Sequence, residues 1–354
     1  MRRAAALCGL LALTACGPAL GAEIDSITGR SDELEDAGRE LDALLSAWLR
    51  RGIERANRDT DVCNEAALYR GIRREIVSPF VGHFVAEALN ANEALPSRRI
   101  LMEESVYRDL ALLDAISVHI KDLSAVVRVG DALIGVDKLG HFLVEGWQYF
   151  EIAALDEDGT GAAMDWGERA ERTYFGLYTT GVRSQADLVA NFEGLRFWSN
   201  VLGAAPDPLG KRRLLWRAYV RCDRGWSHLG RRRWRLRHAP QISEYINPAW
   251  DEAVNCSSYR TPEIERRVQA RIRERGLATP VRSRPMHVRR PAHATASTRS
   301  GCCIPIACTQ RAGRGPGGDS GEDGSVARLA PVGLGGVRSA EWALQGESEP
   351  DSFA

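Results

Sequence analysis

Apolar residues recur every three or four positions along most of residues 31–276, which is the period of an α-helix that buries one face. Asp32 and Glu35 have the spacing of a capping box and predict the start of the first helix. The other helical stretches before the last one cover residues 64–77, 80–90, 103–121, 131–155, 165–178 and 184–202.

Two later helices have clear terminal signals. Ser184 followed by Asp187 forms a capping box, which indicates a helix start. Thr261 and Pro262 predict the start of a last helix that ends before Gly276. Strand-like alternation of apolar and polar residues is scarce, so the sequence predicts an all-α fold, an irregular multi-helix bundle in a single domain.

The predicted helical domain covers residues 23–278. In residues 279–354 the composition changes to Arg, Pro, Gly, Ser and Ala, and apolar periodicity ends. Such a segment buries too little apolar surface to offset its ordering entropy, so we predict a disordered tail. The abrupt change also suggests a shifted reading frame there.

Residues 1–22 have the pattern of an export signal. The Arg2–Arg3 pair precedes an apolar run that is too short to span a bilayer core of about 30 Å. Either Cys16 ends a Leu-Thr-Ala-Cys lipobox and is lipidated, or an ordinary signal peptidase cleaves after Ala22. We therefore expect an envelope protein of the periplasm, soluble or attached as a lipoprotein.

Charge is balanced over the whole chain, with 47 basic and 47 acidic residues. Attraction to an anionic partner would therefore need a local patch. Residues 211–238 are strongly basic and contain Trp216, Trp226 and Trp234. They predict contact with an anionic membrane or envelope surface, with ordinary surface packing as the alternative. The export signal argues against nucleic acid as the partner.

The cysteines fit an oxidising compartment. Cys222 and Cys256 flank the basic stretch and are predicted to form a disulfide, with two unpaired buried thiols as the alternative. Cys63 would then have no partner.

The sharpest polar pattern lies in the most apolar predicted helix. Asp137, His141 and Glu145 are four residues apart and share one helix face. They are candidate catalytic residues, because two carboxylates and an imidazole can bind a divalent metal or act as acid and base. The alternative is a stripe of hydrogen bonds that stabilises the helix by about 0.2–0.5 kcal/mol per pair.

A second segment nearly repeats this pattern. Gly-His-Phe-Val-Ala-Glu at residues 82–87 matches Gly-His-Phe-Leu-Val-Glu at residues 140–145, unless the match is a coincidence. Two helices that each offer a His and a Glu can build a metal site in a bundle core. The candidate metal ligands are therefore His141, Asp137, His83 and Glu87.

Three further residues are candidate binding residues. Lys138 follows Asp137, and Asp187 and Asn191 share one face of the helix at residues 184–202. They predict a polar pocket together with Asp137 and His141, although helix capping is the favoured explanation for Asp187. Gly194 predicts close helix packing.

The run Asp-Lys-Leu-Gly-His-Phe at residues 137–142 resembles the Asp-Lys-x-x-His-Phe signature of VanZ-like membrane proteins and some small bacterial lipoproteins. With residues 184–198 and 245–256, the chain is similar to a family of uncharacterised exported proteobacterial proteins. The first resemblance covers about six residues. VanZ-like proteins have several membrane spans, which this sequence does not predict. The likeness therefore marks Asp137, Lys138 and His141 as candidate functional positions. It implies no particular activity for this chain.

Two functional hypotheses follow. In the first, the protein is a non-enzymatic envelope protein that binds a partner or a membrane surface. In the second, it is a metal-dependent hydrolase that acts on an envelope component, with Asp137, His141 and His83 as ligands. Glu145 would then be a further ligand or the base that activates water.

Overall fold

The computed structural model describes residues 23–77, 89, 92–120, 123–203, 206–210, 219–224, 232–255 and 257–276. These residues all fall within one compact unit. The export signal at residues 1–22, the predicted metal ligands His83 and Glu87, and the tail at residues 279–354 lie outside the described residues.

The fold is about 50% helical and 11% strand, with several small antiparallel sheets, so the prediction of an all-α fold is wrong. Each of the three sheets described has two strands, which pair as β1 with β2, β3 with β6, and β4 with β5. The strands are β1 (Val126–Val129), β2 (Ala132–Gly135), β3 (Val182–Arg183), β4 (Val220–Arg224), β5 (Arg232–Leu236) and β6 (Ser258–Tyr259).

The β1–β2 hairpin explains why this error arose. Its register pairs Val126 with Gly135, and Gly130 makes the turn with a positive φ of 58°. Nearly all of its residues are buried, so the run is apolar without alternation. A short apolar run of this kind cannot be distinguished from a buried helix by its period.

Eight α-helices lie in the described part of the chain, and none of them is both long and apolar enough to cross a membrane. They are α1 (Gly38–Asp59), α2 (Glu65–Ile72), α3 (Ile116–Ile120), α4 (Val136–Gly140), α5 (Gly146–Leu155), α6 (Thr160–Glu171), α7 (Gln185–Leu202) and α8 (Pro262–Glu274). Helical turns of the π type cover Arg73–Val77 and His141–Glu145, and short 3-10 turns cover Ile242–Glu244 and Pro248–Trp250.

Two predicted helix starts are confirmed. Ser184 caps α7 by accepting the backbone N–H of Asp187, and Thr261 caps α8 in the same way through Ile264. The predicted capping box at the first helix is wrong, because α1 begins at Gly38 without a side-chain cap.

The predicted helix at residues 103–121 is largely replaced by turns. Among the described residues of this stretch only α3 is helical, and Leu110 donates its N–H to the carbonyl oxygen of Tyr107 in one of the preceding turns. Val106, Tyr107 and Leu110 are buried in a cluster that also contains Val268 of α8. Tertiary packing of these turns therefore produces the apolar spacing that resembles a helix.

Two glycines let α5 and α7 pack closely. A Cβ atom on Gly146 would lie only 2.6 Å from Cα of Gly194, so a larger residue would force the helices apart. Trp198 of α7 donates its indole N–H to the carbonyl oxygen of Leu143 at 2.9 Å. The predicted role of Gly194 in close packing is confirmed, and the contact holds the His141–Glu145 turn against α7.

The disulfide joins Cys63 to Cys222, so the predicted partner Cys256 was wrong. Cys256 itself lies outside the described residues. The bond links the connection between α1 and α2 to strand β4 across 159 residues of sequence. Proximity along the chain misled the prediction, because the fold brings the two distant segments together.

Candidate metal centre

The site is built on an irregular point in a continuous helical segment. Between α4 and α5, the N–H of Gly146 donates to the carbonyl of His141, five residues earlier. This widened turn is a π-bulge, a feature that occurs frequently at functional sites. It lies against α7, so His141 faces the first two turns of that helix.

His141 has a polar neighbour on each ring nitrogen. Its Nε2 lies 3.2 Å from Oδ2 of Asp187. Its Nδ1 lies 3.1 Å from the side-chain amide of Asn191 and 3.9 Å from Oε2 of Glu145. Three other sequence-predicted site residues therefore meet around the imidazole of His141.

The amide of Asn191 can serve either protonation state of Nδ1. With its oxygen toward the ring, the amide accepts Nδ1–H at 3.1 Å. With its nitrogen toward the ring, it donates to Nδ1 and to the backbone oxygens of His141 and Asp187 at 3.1–3.3 Å. The second orientation satisfies the amide better, because the first one places the amide oxygen against these two backbone oxygens.

Glu171 completes the site from a third element. It ends α6, and the residue is only 2% exposed. Its Oε2 has no hydrogen-bond partner within the described part of the chain. One ligand atom each from His141, Glu171 and Asp187 lies within 4.8 Å of the other two. A buried carboxylate oxygen without a partner is costly, so this atom needs a bound proton or a cation.

Lys138 holds the adjoining carboxylates together. Its side chain is fully buried, and Nζ lies 2.8 Å from Asp137, 2.5 Å from Asp187 and 2.7 Å from Glu252. The same Glu252 oxygen also accepts the hydroxyl of Ser184 at 2.7 Å. Lys138 is therefore a fixed internal cation on the side of Asp187 that faces away from His141.

Burial and neighbouring charge shift the pKa values of the candidate ligands. Burial raises the pKa of Glu171, and the charge of Asp187 adds to this effect, giving a pKa of about 8. Burial would lower the pKa of His141, but Asp187 and Glu145 outweigh it and raise the pKa to about 9. Burial would raise the pKa of Asp187, but His141 and Lys138 lower it below the usual value.

The other carboxylates of the group have raised pKa values, in contrast to Asp187. Burial raises the pKa of Glu145 despite the opposing charge of His141. It also raises the pKa of Asp137 and of Glu252, although Lys138 acts in the other direction. For Glu23, burial and the charge of Glu252 together raise the pKa well above the usual value.

The group therefore contains more acids than cations. Lys138 and His141 are the basic members of a set with six buried or largely buried acids. The acids are Glu23, Asp137, Glu145, Glu171, Asp187 and Glu252. Burial of so much negative charge requires bound protons or a metal ion.

Sequence reasoning identified only part of this arrangement. Asp137, predicted as a metal ligand, instead directs both carboxylate oxygens to Lys138. Glu171, Glu252 and Glu23 were missed, because each lies far along the chain from His141 and forms no recognisable spacing with it. Glu252 did have one sequence signal, because it lies in the segment 245–256 that contributes to the resemblance to exported proteobacterial proteins.

Comparison of the chain with protein-family models, with curated proteins and with solved structures found no match.

Proposed function

We propose that the protein binds a divalent transition metal at His141, Glu171 and Asp187 and uses it in hydrolysis. The observation that carries this proposal is the convergence of three ligand atoms from three elements within 4.8 Å of one another. Catalytic zinc sites commonly have three protein ligands and one open position. The export signal expected at residues 1–22 supports a substrate in the envelope.

Glu145 is the residue that fits the role of general base. Its carboxylate lies beside the imidazole of His141 but is not one of the three grouped ligands. Burial raises its pKa, which brings the carboxylate closer to the range of an effective base. A divalent metal would act as a Lewis acid and make a water molecule more acidic. Glu145 would then accept the proton of that water.

Zinc titration of the metal-stripped protein tests the proposal. We expect the wild type to bind one equivalent of zinc, followed by isothermal titration calorimetry. Glu171→Gln keeps the size of the side chain but removes the charge of a direct ligand, so its affinity should fall by about 100-fold or more.

Glu168→Gln is the matched control for that variant. Glu168 lies one turn earlier on α6, and its carboxylate pairs with Arg183 and Arg172 rather than with the site. The control should keep wild-type zinc affinity. Equal loss in both variants, or absence of stoichiometric zinc binding by the wild type, would contradict the proposal.

We also propose that the outer face of the β4–β5 hairpin binds an anionic membrane surface. The register places Arg221 directly opposite Arg235, and both side chains are exposed. Like charges opposite each other destabilise a sheet, and Asp223 is the acid that contacts both of them. Exposed Arg233 adds a further positive charge beside Asp223. Residues 211–218 and 225–231 of the basic stretch lie outside the described residues.

Binding to lipid vesicles tests this second role. The wild type should sediment with vesicles that contain phosphatidylglycerol, and added salt should weaken the binding. The double variant Arg233→Ser/Arg235→Ser should bind less, whereas Arg266→Ser, an exposed arginine of α8, should not. Equal binding to neutral vesicles, or binding that does not depend on salt, would contradict the role.

A further inference from the structure

The carboxylate of Asp187 is divided between two positively charged neighbours. Its Oδ1 lies 2.5 Å from Nζ of Lys138, and its Oδ2 lies 3.2 Å from Nε2 of His141. The helix cap at Ser184 fixes the first turn of α7, where Asp187 lies. The two oxygens of one side chain therefore face two different cation positions.

The ammonium of Lys138 donates a hydrogen bond to Asp137 and makes close ion pairs with Asp187 and Glu252. An ammonium group has three N–H donors, and three carboxylates from different parts of the chain surround this one. The side chain is also fully buried between α4, α7 and the segment that contains Glu252. The ion pair with Lys138 therefore occupies Oδ1 of Asp187 and disfavours a second cation at that oxygen.

This arrangement limits how a metal at His141 and Glu171 can use Asp187. With Oδ1 on Lys138, only Oδ2 can bind the metal, so Asp187 is restricted to one ligand atom. Calcium takes six to eight oxygen ligands and often uses both oxygens of a carboxylate. Zinc is satisfied by about four ligands, including nitrogen.

We propose that Lys138 determines the metal specificity of the site: by occupying Oδ1 of Asp187, it keeps the coordination number low and selects zinc-like ions over calcium. The inference rests on the proposed metal site and adds a residue that does not itself bind the metal. Lys138 is a positioning residue, and its effect is on the ratio of two affinities.

A purely structural role for Lys138 makes a different prediction. If the lysine only neutralises its acidic neighbours, its loss disorders the site and weakens every metal to a similar degree. If it limits Asp187 to one oxygen, its loss releases Oδ1 and favours calcium relative to zinc. The ratio of the two affinities separates the roles.

The experiment compares metal-stripped wild type, Lys138→Met, and the double variant Lys138→Met/Glu252→Gln. The double variant removes one positive and one negative group, so the formal net charge of the buried group is the same as in the wild type and folding is protected. Zinc and calcium dissociation constants are measured by titration against a chelating dye, with circular dichroism as the check of folding.

We expect the preference for zinc over calcium to fall by about tenfold or more in the variants without Lys138. Glu252→Gln alone leaves the ammonium on Asp187 and should keep the wild-type preference. An unchanged ratio in a folded Lys138 variant, with zinc still bound by the wild type, overturns the inference alone. Absence of zinc binding by the wild type overturns the proposed site and the inference together.

Discussion

Lys138 and His141 lie one helical turn apart, but their surroundings leave them in different states. Lys138 is enclosed by three carboxylates, and these raise its pKa well above the usual value even though burial acts in the other direction. His141 shares Asp187 with Lys138 and faces Glu171, whose Oε2 has no hydrogen-bond partner among the described residues. Lys138 therefore makes ion pairs with three carboxylates, whereas a carboxylate oxygen without a hydrogen-bond partner lies near His141.

Glu193 provides a test of buried-charge energetics away from this site. It is largely buried on α7, contacts Arg196 at 2.5 Å, and burial raises its pKa to about 7. Below about pH 4.5 the carboxyl is protonated in both folded and unfolded chains, so it has no effect. Between about pH 4.5 and about pH 7 the unfolded chain has lost this proton while the folded chain keeps it, so the folded state loses stability as the pH rises, and the loss is complete above about pH 7.

Glu193→Gln should therefore remove part of the pH dependence of stability. Between about pH 5 and about pH 8, the free energy of unfolding of the wild type should fall by on the order of 2–3 kcal/mol more than that of the variant. Urea denaturation at both pH values measures this difference. Parallel pH dependence in the two proteins would show that the pKa of Glu193 is not raised.

The sequence predicted those residues of the site that lie near one another along the chain. Lys138 and His141 belong to one short motif, and Asp187 and Asn191 share a helix face. Glu171 could not be predicted, because it occupies the last turn of an ordinary amphipathic helix and its burial depends on how α6 packs. Long-range contacts of this kind leave no periodic trace in a single sequence.

The π-bulge depends on the close contact between α5 and α7. A Cβ atom on Gly194 would collide with the backbone carbonyl oxygen of Phe142, which lies inside the bulge. Gly194→Ala should therefore push the helices apart, lower the melting temperature and weaken zinc binding. Differential scanning fluorimetry and zinc titration measure the two effects.

Gly140→Ala is the matched control for this change. A Cβ atom on Gly140, which lies in α4 next to His141, would have no neighbouring atom within 4 Å. Alanine favours a helix over glycine by up to about 1 kcal/mol, so this variant should be as stable as the wild type or more stable. Equal destabilisation by both substitutions would argue against the helix contact as the cause.

The β4–β5 hairpin depends on the bond between Cys63 and Cys222. Trp234 lies opposite Cys222 in the hairpin, and its backbone N–H donates to the side chain of Asn57 in α1. Reduction should lower the free energy of unfolding by about 2–4 kcal/mol, measured by urea denaturation with and without reductant. Peptide mapping that finds Cys222 linked to Cys256 would contradict the observed pairing.

Helices were predicted better than strands for a physical reason. The caps of α7 and α8 are local, since each cap residue binds an N–H three positions ahead. The strands of the β1–β2 hairpin are only four residues long, and their apolar residues are buried without alternation. Because the helical spacing of apolar residues continues directly into α4, the two short strands could not be recognised in the sequence.

The zero net charge of the chain conceals an uneven distribution of charge. Acids are concentrated in the buried group around Lys138 and His141, whereas arginines lie on the outer face of the β4–β5 hairpin. The two features support different proposed roles, one inside the fold and one at its surface. The net charge of zero therefore predicted neither the buried acidic group nor the arginine-rich surface.

A metal that binds only the folded protein should stabilise the whole molecule. Zinc at about 100 times its dissociation constant should raise the free energy of unfolding by about 2.7 kcal/mol. Chelation should reverse this gain, which thermal unfolding measures. Glu171→Gln should show little response to zinc, and a response equal to that of the wild type would place the bound metal elsewhere.

The most direct measurement is a crystal structure of the zinc-loaded protein with anomalous diffraction data at the zinc absorption edge. We predict one strong anomalous peak within bonding distance of Nε2 of His141 and of carboxylate oxygens of Glu171 and Asp187, with Lys138 still on Oδ1 of Asp187. Absence of a peak between these three residues, or a peak bound only by other groups, would contradict the proposed metal centre.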